Sequence, residues 1–268
     1  MLPNLIKHVE AIAREAGKNI LLPAFISQTS VQSLKKDGSI VTETDQRCQD
    51  FLQLELAKLS TDIGFLGEEM MLDEQLASLH QDKRFWCVDP LDGTGNFATP
   101  MPLFAISIAL IEQGKPVLAC VYDPIRDEMF SAIQGSRLMI NGVTFATTPH
   151  LQPLSQSIGF IDFKRLKPAL ASDLASQKYY RSQRNLGTCA LEWAWLAAGR
   201  AQFIVHGGQK LWDYAAGILL AEASGCIVTN FHTQHPFSHA QLSSPIVATL
   251  NPDLAKAWSN ILSEHLDG

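Results

Sequence analysis

Two carboxylates lie close together in one short apolar stretch of the chain. Asp89 and Asp92 stand three residues apart in WCVDPLDGTGNF (86–97), where an apolar run predicts the end of a buried strand. Pro90 stiffens the turn between them, and a Gly-Thr-Gly turn follows. Two acids facing one space favour a divalent cation, because bare carboxylates in contact repel each other and one would keep its proton.

Further acids occur where secondary-structure elements are expected to begin or end. Carboxylates are hard oxygen ligands of the kind that Mg²⁺ prefers, and the backbone carbonyl of Leu91 can join them. Each feature alone also has an ordinary explanation, namely a capped turn, a surface pair of glutamates or a helix N-cap. The joint pattern favours a metal site. The acids are Asp45, Glu68, Glu69, Asp89, Asp92 and Asp213.

The Gly-Thr-Gly turn after Asp92 predicts the start of a helix. The first N–H groups of a helix have no partner within it and attract anions, phosphate above all. A metal cluster beside such a turn would bind phosphate without any basic patch.

Composition narrows the class of protein. The 268 residues are 46% hydrophobic and carry a net charge of −6, which predicts a sizeable core and no nucleic-acid partner. The five cysteines are far apart and show no CxxC spacing, as is typical of a reducing compartment. The charged N-terminal segment has no apolar run of signal-peptide or membrane-spanning length. We therefore expect a cytoplasmic protein without membrane contact.

Hydrophobic periodicity predicts antiparallel strands in the first half and alternating strands and helices in the second. This change near residue 148 predicts two packed α/β halves, an N-terminal half at 1–147 and a C-terminal half at 148–268. Thr44 or Asp45 is expected to cap the second helix. Helices are predicted at 4–22, from that cap to about 59, and at 168–178, 188–198, 213–224 and 252–266. Strands are predicted at 62–69, within 103–124, at 157–161, 202–206 and 246–250.

Four segments together resemble the inositol monophosphatase family. WCVDPLDGTGNFAT (86–99) is similar to its first signature and WDYAAGILLAEASG (212–225) to its second, while VTETD (41–45) and GEE (67–69) resemble its other acidic segments. The match spans residues 35–252. It implies an α/β (α+β) fold, a layered α-β-α-β-α sandwich of the inositol monophosphatase and fructose-1,6-bisphosphatase type. It further implies a homodimer and a lithium-sensitive, Mg²⁺-dependent hydrolase of small phosphate monoesters.

The resemblance also implies roles for individual residues. Two or three Mg²⁺ ions are expected, and Thr94, paired with Asp45, is expected to activate the attacking water. The implied ligands are Glu68, Asp89 and the Leu91 carbonyl for the first ion, Asp89, Asp92 and Asp213 for the second, and Glu68 and Asp45 for a third, weaker ion.

Substrate contacts follow from the same resemblance. Gly93 and Thr94 would bind phosphate through their N–H groups, and Lys36 would lie on a hairpin over the site. The remaining expected contacts, to the hydroxyl-bearing body of the substrate, are Asp92, Asp213, Gly187, Thr188 and Cys189.

One position departs from the family pattern. His206, seven residues before Asp213, stands where inositol phosphatases carry a glutamate that binds substrate hydroxyls. The alcohol therefore stays open between inositol, another sugar or polyol, histidinol and a nucleotide 3′-phosphate. A non-catalytic interaction protein is disfavoured because every expected metal carboxylate is present.

Overall fold

The computed structural model describes residues 2–28, 32–34, 40–81, 83–146, 152–239 and 241–265. Helices and two sheets alternate in five layers. Each sheet has apolar side chains on both faces, and α-helices cover both faces of each sheet. Two of these helices lie between the sheets and pack on both. This is the α-β-α-β-α sandwich that the resemblance implied.

The outer layer on the larger sheet is built from the N-terminal helices. Ile6, Val9 and Ile12 recur at helical spacing and are buried against it. The helical stretch is longer than predicted, because a π-helical turn at Gly17–Leu21 joins two α-helices. The elements of this region are α1 (Leu2–Ala16), α2 (Leu22–Ser27), β1 (Gln32–Leu34), β2 (Ile40–Thr42) and α3 (Glu43–Leu59).

The larger sheet has seven strands, and all of its pairings after the first are antiparallel. Asn141 and Gly142 both have positive φ, at 50° and 76°, and form the hairpin that this dipeptide predicts. In order across the sheet the strands are β3 (Gly64–Gly67), β4 (Arg84–Asp92), β5 (Ala105–Glu112), β6 (Lys115–Asp123), β7 (Glu128–Ile133), β8 (Met139–Ile140) and β9 (Val143–Thr144). The helices within this stretch are α4 (Leu72–Gln81) and α5 (Thr94–Ala98).

The smaller sheet has the strand order β11-β10-β12-β14-β13. Its two short edge strands were not predicted, since three residues give too little alternation to recognise. The strands are β10 (Ile158–Asp162), β11 (Ser182–Arg184), β12 (Phe203–Lys210), β13 (Ile227–Thr229) and β14 (Ser243–Thr249). The helices are α6 (Pro168–Ser176), α7 (Cys189–Ala197), α8 (Leu211–Ala223) and α9 (Pro252–Ser263).

The helices α7 and α8 form the central layer and are apolar on nearly all sides because both sheets cover them. Trp193 on α7 packs so closely on Gly217 of α8 that a Cβ at Gly217 would lie 2.2 Å from its ring. Outside the smaller sheet, α6 and α9 cover Ile161, Phe203 and Val247. The larger sheet is formed by strands within residues 64–144 and the smaller sheet by strands within residues 158–249. The division into two halves between residues 147 and 148 stays a prediction.

Within the described residues, the helices all lack the combination of length and apolar character needed to cross a bilayer.

Candidate active site

A β-bulge brings Asp89 and Asp92 to one face of the larger sheet. Residues three apart on a regular strand point to opposite faces. Here the register with β5 shifts between Asp89, opposite Ser107, and Asp92, opposite Ala105, so β4 carries one extra residue. The extra residue restores the alternation, and both carboxylates point toward the central helices, as their neighbour Cys87 does.

The third acid of this group comes from the first turn of α8. Asp213 accepts a 2.9 Å hydrogen bond from the N–H of Lys210, which is the N-cap of the helix. Asp213 is therefore the third residue of the helix, and the expected start of α8 at Asp213 was wrong by two residues. The three acids Asp89, Asp92 and Asp213 each contribute one carboxylate oxygen, and these three oxygens lie within 4.8 Å of one another.

Mutual repulsion between these carboxylates favours a bound cation. Burial raises the pKa of Asp89 well above its usual range, and the charges of Glu68, Asp92 and Asp213 raise it further. Burial likewise raises the pKa of Asp213, and it raises that of Asp92 to about 6 against the hydrogen bonds that lower it. Buried carboxylates with only oxygen donors fit a hard divalent cation, which would remove this mutual repulsion.

Glu68 reaches the group from the turn after β3 and shares a hydrogen bond with Asp89. Two buried glutamines hold this turn, and sequence reasoning missed both. The Oε1 of Gln49 accepts from the N–H of Glu69 at 2.9 Å. The Nε2 of Gln75 donates to the carbonyls of Gly67 at 3.0 Å and Glu68 at 3.1 Å. Neither glutamine lies in a recognisable motif, so the sequence alone offers no means of finding them.

Asp45 and Thr94 form a hydrogen-bonded pair at the edge of the group. Asp45 is fully buried, and its Oδ2 accepts from the N–H of Thr42 at 2.8 Å in a capping box. The N-cap of α3 is thus Thr42 and not Thr44 or Asp45, because a capping box needs its acid three residues inside the helix. The Oγ1 of Thr94 donates to Oδ1 of Asp45 at 2.8 Å and lies 3.1 Å from the carbonyl of Leu91.

The turn that follows Asp92 is shaped by a left-handed glycine. Gly93 has φ 97°, and a Cβ there would lie 2.9 Å from the carbonyl of Leu103. Only glycine adopts this conformation at low cost. The helix α5 begins at the next residue, Thr94, as predicted.

The N-terminus of α7 is tied to Asp92 across the molecule. Oδ2 of Asp92 accepts from the hydroxyl of Thr188 at 2.6 Å and from the N–H of Ala190 at 2.5 Å. Thr188 is also the N-cap of α7, with its hydroxyl 3.5 Å from the N–H of Leu191. The expected substrate residues Gly187, Thr188 and Cys189 therefore lie directly beside the acidic group.

A second tie, from Asn96, was missed from the sequence. Its Nδ2 donates to the carbonyls of Leu103 at 2.8 Å and Leu186 at 2.7 Å. Gly187 has φ 69° and packs on the same side chain, with a Cβ position 3.1 Å from it. Asn96 thus fixes the loop before α7 against the turn that begins α5.

His206 lies on β12 of the smaller sheet and is 5% exposed. Its Nδ1 accepts from the N–H of Gly208 at 3.1 Å, and its Nε2 lies 3.7 Å from Oδ2 of Asp162. Burial lowers the pKa of His206 to about 4, Asp162 raises it and Arg165 lowers it, so the imidazole is neutral at pH 7.

The structure brings most of the expected site residues together. The oxygens of Glu68 and Asp45 are not part of the 4.8 Å group, although the charge of Glu68 raises the pKa of both Asp89 and Asp45. The strands on either side of the predicted hairpin do pair, with Leu34 opposite Ile40. Lys36, which the resemblance places on this hairpin, lies outside the described residues.

Sequence comparisons identify the family of the chain. The family model described as the inositol monophosphatase family matches residues 1–265. The Nus factor SuhB of Escherichia coli K12 is 33% identical over 251 residues, which cover 91% of this chain and 90% of that protein. The inositol-1-monophosphatase of Mesorhizobium japonicum is 32% identical over 222 residues, covering 81% of this chain and 82% of that protein.

Solved structures share the fold over nearly the full length. The extragenic suppressor protein SuhB of Bartonella henselae has a TM-score of 0.83 and 26% identity, covering 98% of this chain and 100% of that one. The Thermotoga maritima IMPase has a TM-score of 0.84 and 26% identity, covering 99% and 98%. The chain therefore belongs to the inositol monophosphatase family and is a phosphoric monoester hydrolase of that family.

Proposed function

We propose that this chain hydrolyses a small polyol phosphate of the inositol 1-phosphate kind, with two or three Mg²⁺ ions as cofactor. The observation that carries the proposal is the group of Asp89, Asp92 and Asp213, three acids with oxygens within 4.8 Å. It lies beside the turn of Gly93 and Thr94, which begins α5.

The metal ligands in this proposal are the expected ones. Asp89, Asp92 and Asp213 would hold Mg²⁺ together with Glu68 and the Leu91 carbonyl, and Asp45 would help to hold a third ion. Bound Mg²⁺ supplies positive charge that acidifies water and stabilises the charge of an in-line phosphoryl displacement. Gln49 and Gln75 keep Glu68 in place, and Thr188 keeps Asp92 in place.

Asp45 and Thr94 would orient the attacking water. Because the hydroxyl hydrogen of Thr94 is donated to Asp45, the lone pairs of its oxygen are left to accept from water. Water would then attack phosphorus and give up a proton to solvent, while the bond from phosphorus to the alcohol oxygen breaks and that oxygen leaves with the electron pair and takes up a proton from solvent. A single turnover in ¹⁸O-water should place the label in phosphate, whereas label in the alcohol would refute attack at phosphorus.

The phosphate would lie on the N–H groups of Gly93 and Thr94, since first-turn N–H groups have no partner within the helix. Lys36 would approach from the hairpin. The alcohol would lie against Gly187, Thr188, Cys189 and His206, with Asp92 and Asp213 close to its hydroxyls.

The name inositol-1-monophosphatase of the Mesorhizobium relative supports a polyol substrate. Another sugar phosphate, histidinol phosphate and a nucleotide 3′-phosphate are the alternatives. A non-catalytic interaction role is the second candidate, because several relatives are named Nus factor SuhB. The complete set of carboxylates favours catalysis. Homodimerisation and a cytoplasmic location stay predictions.

A panel of esters tests the proposal. Inositol 1-phosphate, glycerol 2-phosphate, histidinol phosphate and adenosine 3′-phosphate are compared with p-nitrophenyl phosphate, each with Mg²⁺ and with excess EDTA. We expect Mg²⁺-dependent phosphate release with the highest kcat/KM for a polyol ester. Turnover that EDTA leaves intact would contradict the metal role, and a preference for histidinol or nucleotide phosphate would contradict the substrate class.

A further inference from the structure

Two side chains at the end of the smaller sheet form a donor and acceptor pair that sequence reasoning did not bring together. Asp162 is the last residue of β10, and His206 is its direct partner on the parallel strand β12. No sequence motif identifies Asp162, because a single aspartate at the end of a strand is common. The pairing depends on the register between two strands that are far apart in the chain.

The hydrogen-bonding roles of the pair are determined by their neighbours. Nδ1 of His206 accepts from the N–H of Gly208 and therefore carries no proton, so the neutral ring bears its hydrogen on Nε2. Oδ1 of Asp162 accepts from the N–H of Lys164 at 3.0 Å. The pair thus presents an N–H donor and a carboxylate acceptor to the same space.

The gap between the two groups suits a bridging hydroxyl. Nε2 and Oδ2 are 3.7 Å apart, which is longer than a direct hydrogen bond. A single hydroxyl oxygen can lie about 2.8 Å from both atoms, accepting from His206 and donating to Asp162. The side chain of Asp162 is 22% exposed, whereas that of His206 is 6% exposed, so a ligand would reach the pair from the Asp162 side.

Cys189 connects this pair to the acidic group. Burial raises the pKa of the Cys189 thiol, and nearby carboxylates raise it further; these are Asp213, Asp92, Glu192 and Asp162. Cys189 also stands between Thr188 and Ala190, which both donate to Asp92, so it lies beside the acidic group and within electrostatic reach of Asp162. A ligand whose phosphate lies at the acidic group would extend past Cys189 toward the pair.

We infer that Asp162 and His206 together bind a hydroxyl of the substrate's polyol body, with Asp162 as the specificity-determining acceptor. This inference rests on the proposed function and adds a residue to it. A carboxylate repels a second phosphate, so the pair disfavours bisphosphates. The positive charge of Arg165, which lowers the pKa of His206, acts at the same place and disfavours an ammonium ligand relative to a neutral hydroxyl.

The test compares selectivity in wild type and Asp162→Asn. The measured quantity is kcat/KM for inositol 1-phosphate divided by kcat/KM for p-nitrophenyl phosphate, which has no hydroxyl on its body. Asparagine keeps an oxygen for the N–H of Lys164 but loses the charged acceptor. We expect the ratio to fall about fivefold or more, mainly through KM for inositol 1-phosphate, because a hydrogen bond to a charged acceptor is roughly twice as strong as one to a neutral amide oxygen. His206→Gln should lower the same ratio.

Asp173→Asn is the matched control, because Asp173 has the same 22% side-chain exposure but contacts His265 and Tyr179 instead. Its ratio should equal that of the wild type. An unchanged ratio in Asp162→Asn would overturn the inference, as would a selective loss on histidinol phosphate, which would mean that Asp162 binds an ammonium. If the wild type showed no Mg²⁺-dependent turnover of either ester, the proposed function itself would be refuted.

Discussion

Thr188 donates a 2.6 Å hydrogen bond from its hydroxyl to Oδ2 of Asp92, although 96 residues separate the two in sequence. The same hydroxyl caps α7, so the first turn of this helix is bound directly to an expected metal ligand. Asp92 is thereby held from the central layer as well as from its own strand.

Thr188→Val should test this tie, because valine keeps the shape and removes the hydroxyl. We expect the free energy of unfolding to fall by about 1–2 kcal/mol from the lost cap. The Mg²⁺ concentration for half-maximal activity should rise roughly tenfold, as when a residue that orients a metal ligand is lost. Urea unfolding and Mg²⁺ titration of activity measure the two effects. Thr188→Ser, which keeps the hydroxyl, should show neither, and parallel behaviour of both variants would contradict the assignment.

Gly93→Ala should distort the turn that is proposed to bind phosphate. The positive φ and the close carbonyl of Leu103 together should cost about 1–3 kcal/mol of stability. Inhibition by inorganic phosphate should weaken, because the N–H groups of the turn would move. Gly95→Ala is the control, since a Cβ there meets nothing within 4 Å. Equal phosphate inhibition constants in the two variants would remove Gly93 from the phosphate site.

Asn96 offers a prediction about the loop before α7. Asn96→Ala leaves the carbonyls of Leu103 and Leu186 without their side-chain donor, which should destabilise the protein by about 1–3 kcal/mol. KM should rise more than kcat falls, because the loop carries the proposed substrate contacts Gly187 and Thr188 and none of the proposed metal ligands. Steady-state kinetics on inositol 1-phosphate separate the two parameters. A loss confined to kcat would argue against this role.

The buried carboxyl of Glu192 should make the free energy of unfolding in EDTA depend on pH. Burial raises its pKa to about 8, although its hydrogen bond from Leu186 lowers it. A pKa raised on folding gives stability that is complete below the unfolded pKa near 4.5 and is lost as pH rises through 8. Glu192→Gln should therefore be more stable than wild type at pH 8.5, by roughly 2–4 kcal/mol, and no more stable at pH 4.5.

Urea unfolding at several pH values makes this measurement, with the exposed residue Glu15 changed to Gln as control. If Glu192→Gln and wild type lost stability in parallel as pH rose, Glu192 would not be the titrating group.

The sequence predicted the layered fold and the members of the acidic group, because the motif around Asp89 and the one around Asp213 are each local. It did not predict how Asp89 and Asp92 come to share a face, since a bulge depends on the register with β5. It missed Gln49 and Gln75 for a related reason. Amide side chains that hold a backbone turn carry no spacing of their own and become visible only when α3 and α4 pack beside β3.

The same limit applies to the alcohol side of the site. His206 was identified from its place relative to Asp213, but its partner Asp162 depends on the parallel pairing of β10 with β12. The edge strand β11 is too short to show a period. The features that were missed depend on the register between strands that are far apart in the chain, and no local sequence pattern encodes that register.

In the proposed function, hydrolysis depends on Mg²⁺ that the acidic group holds. The most direct test is phosphate release from inositol 1-phosphate against Mg²⁺ concentration in wild type, Asp92→Asn and the exposed control Asp62→Asn. Asparagine can still accept from Thr188 and Ala190, so the fold should persist while a charged ligand is lost. We expect a loss of about 100-fold or more in kcat/KM for Asp92→Asn, with a higher Mg²⁺ requirement, and wild-type behaviour for Asp62→Asn. Equal Mg²⁺ curves for all three proteins would contradict the proposed role of the acidic group.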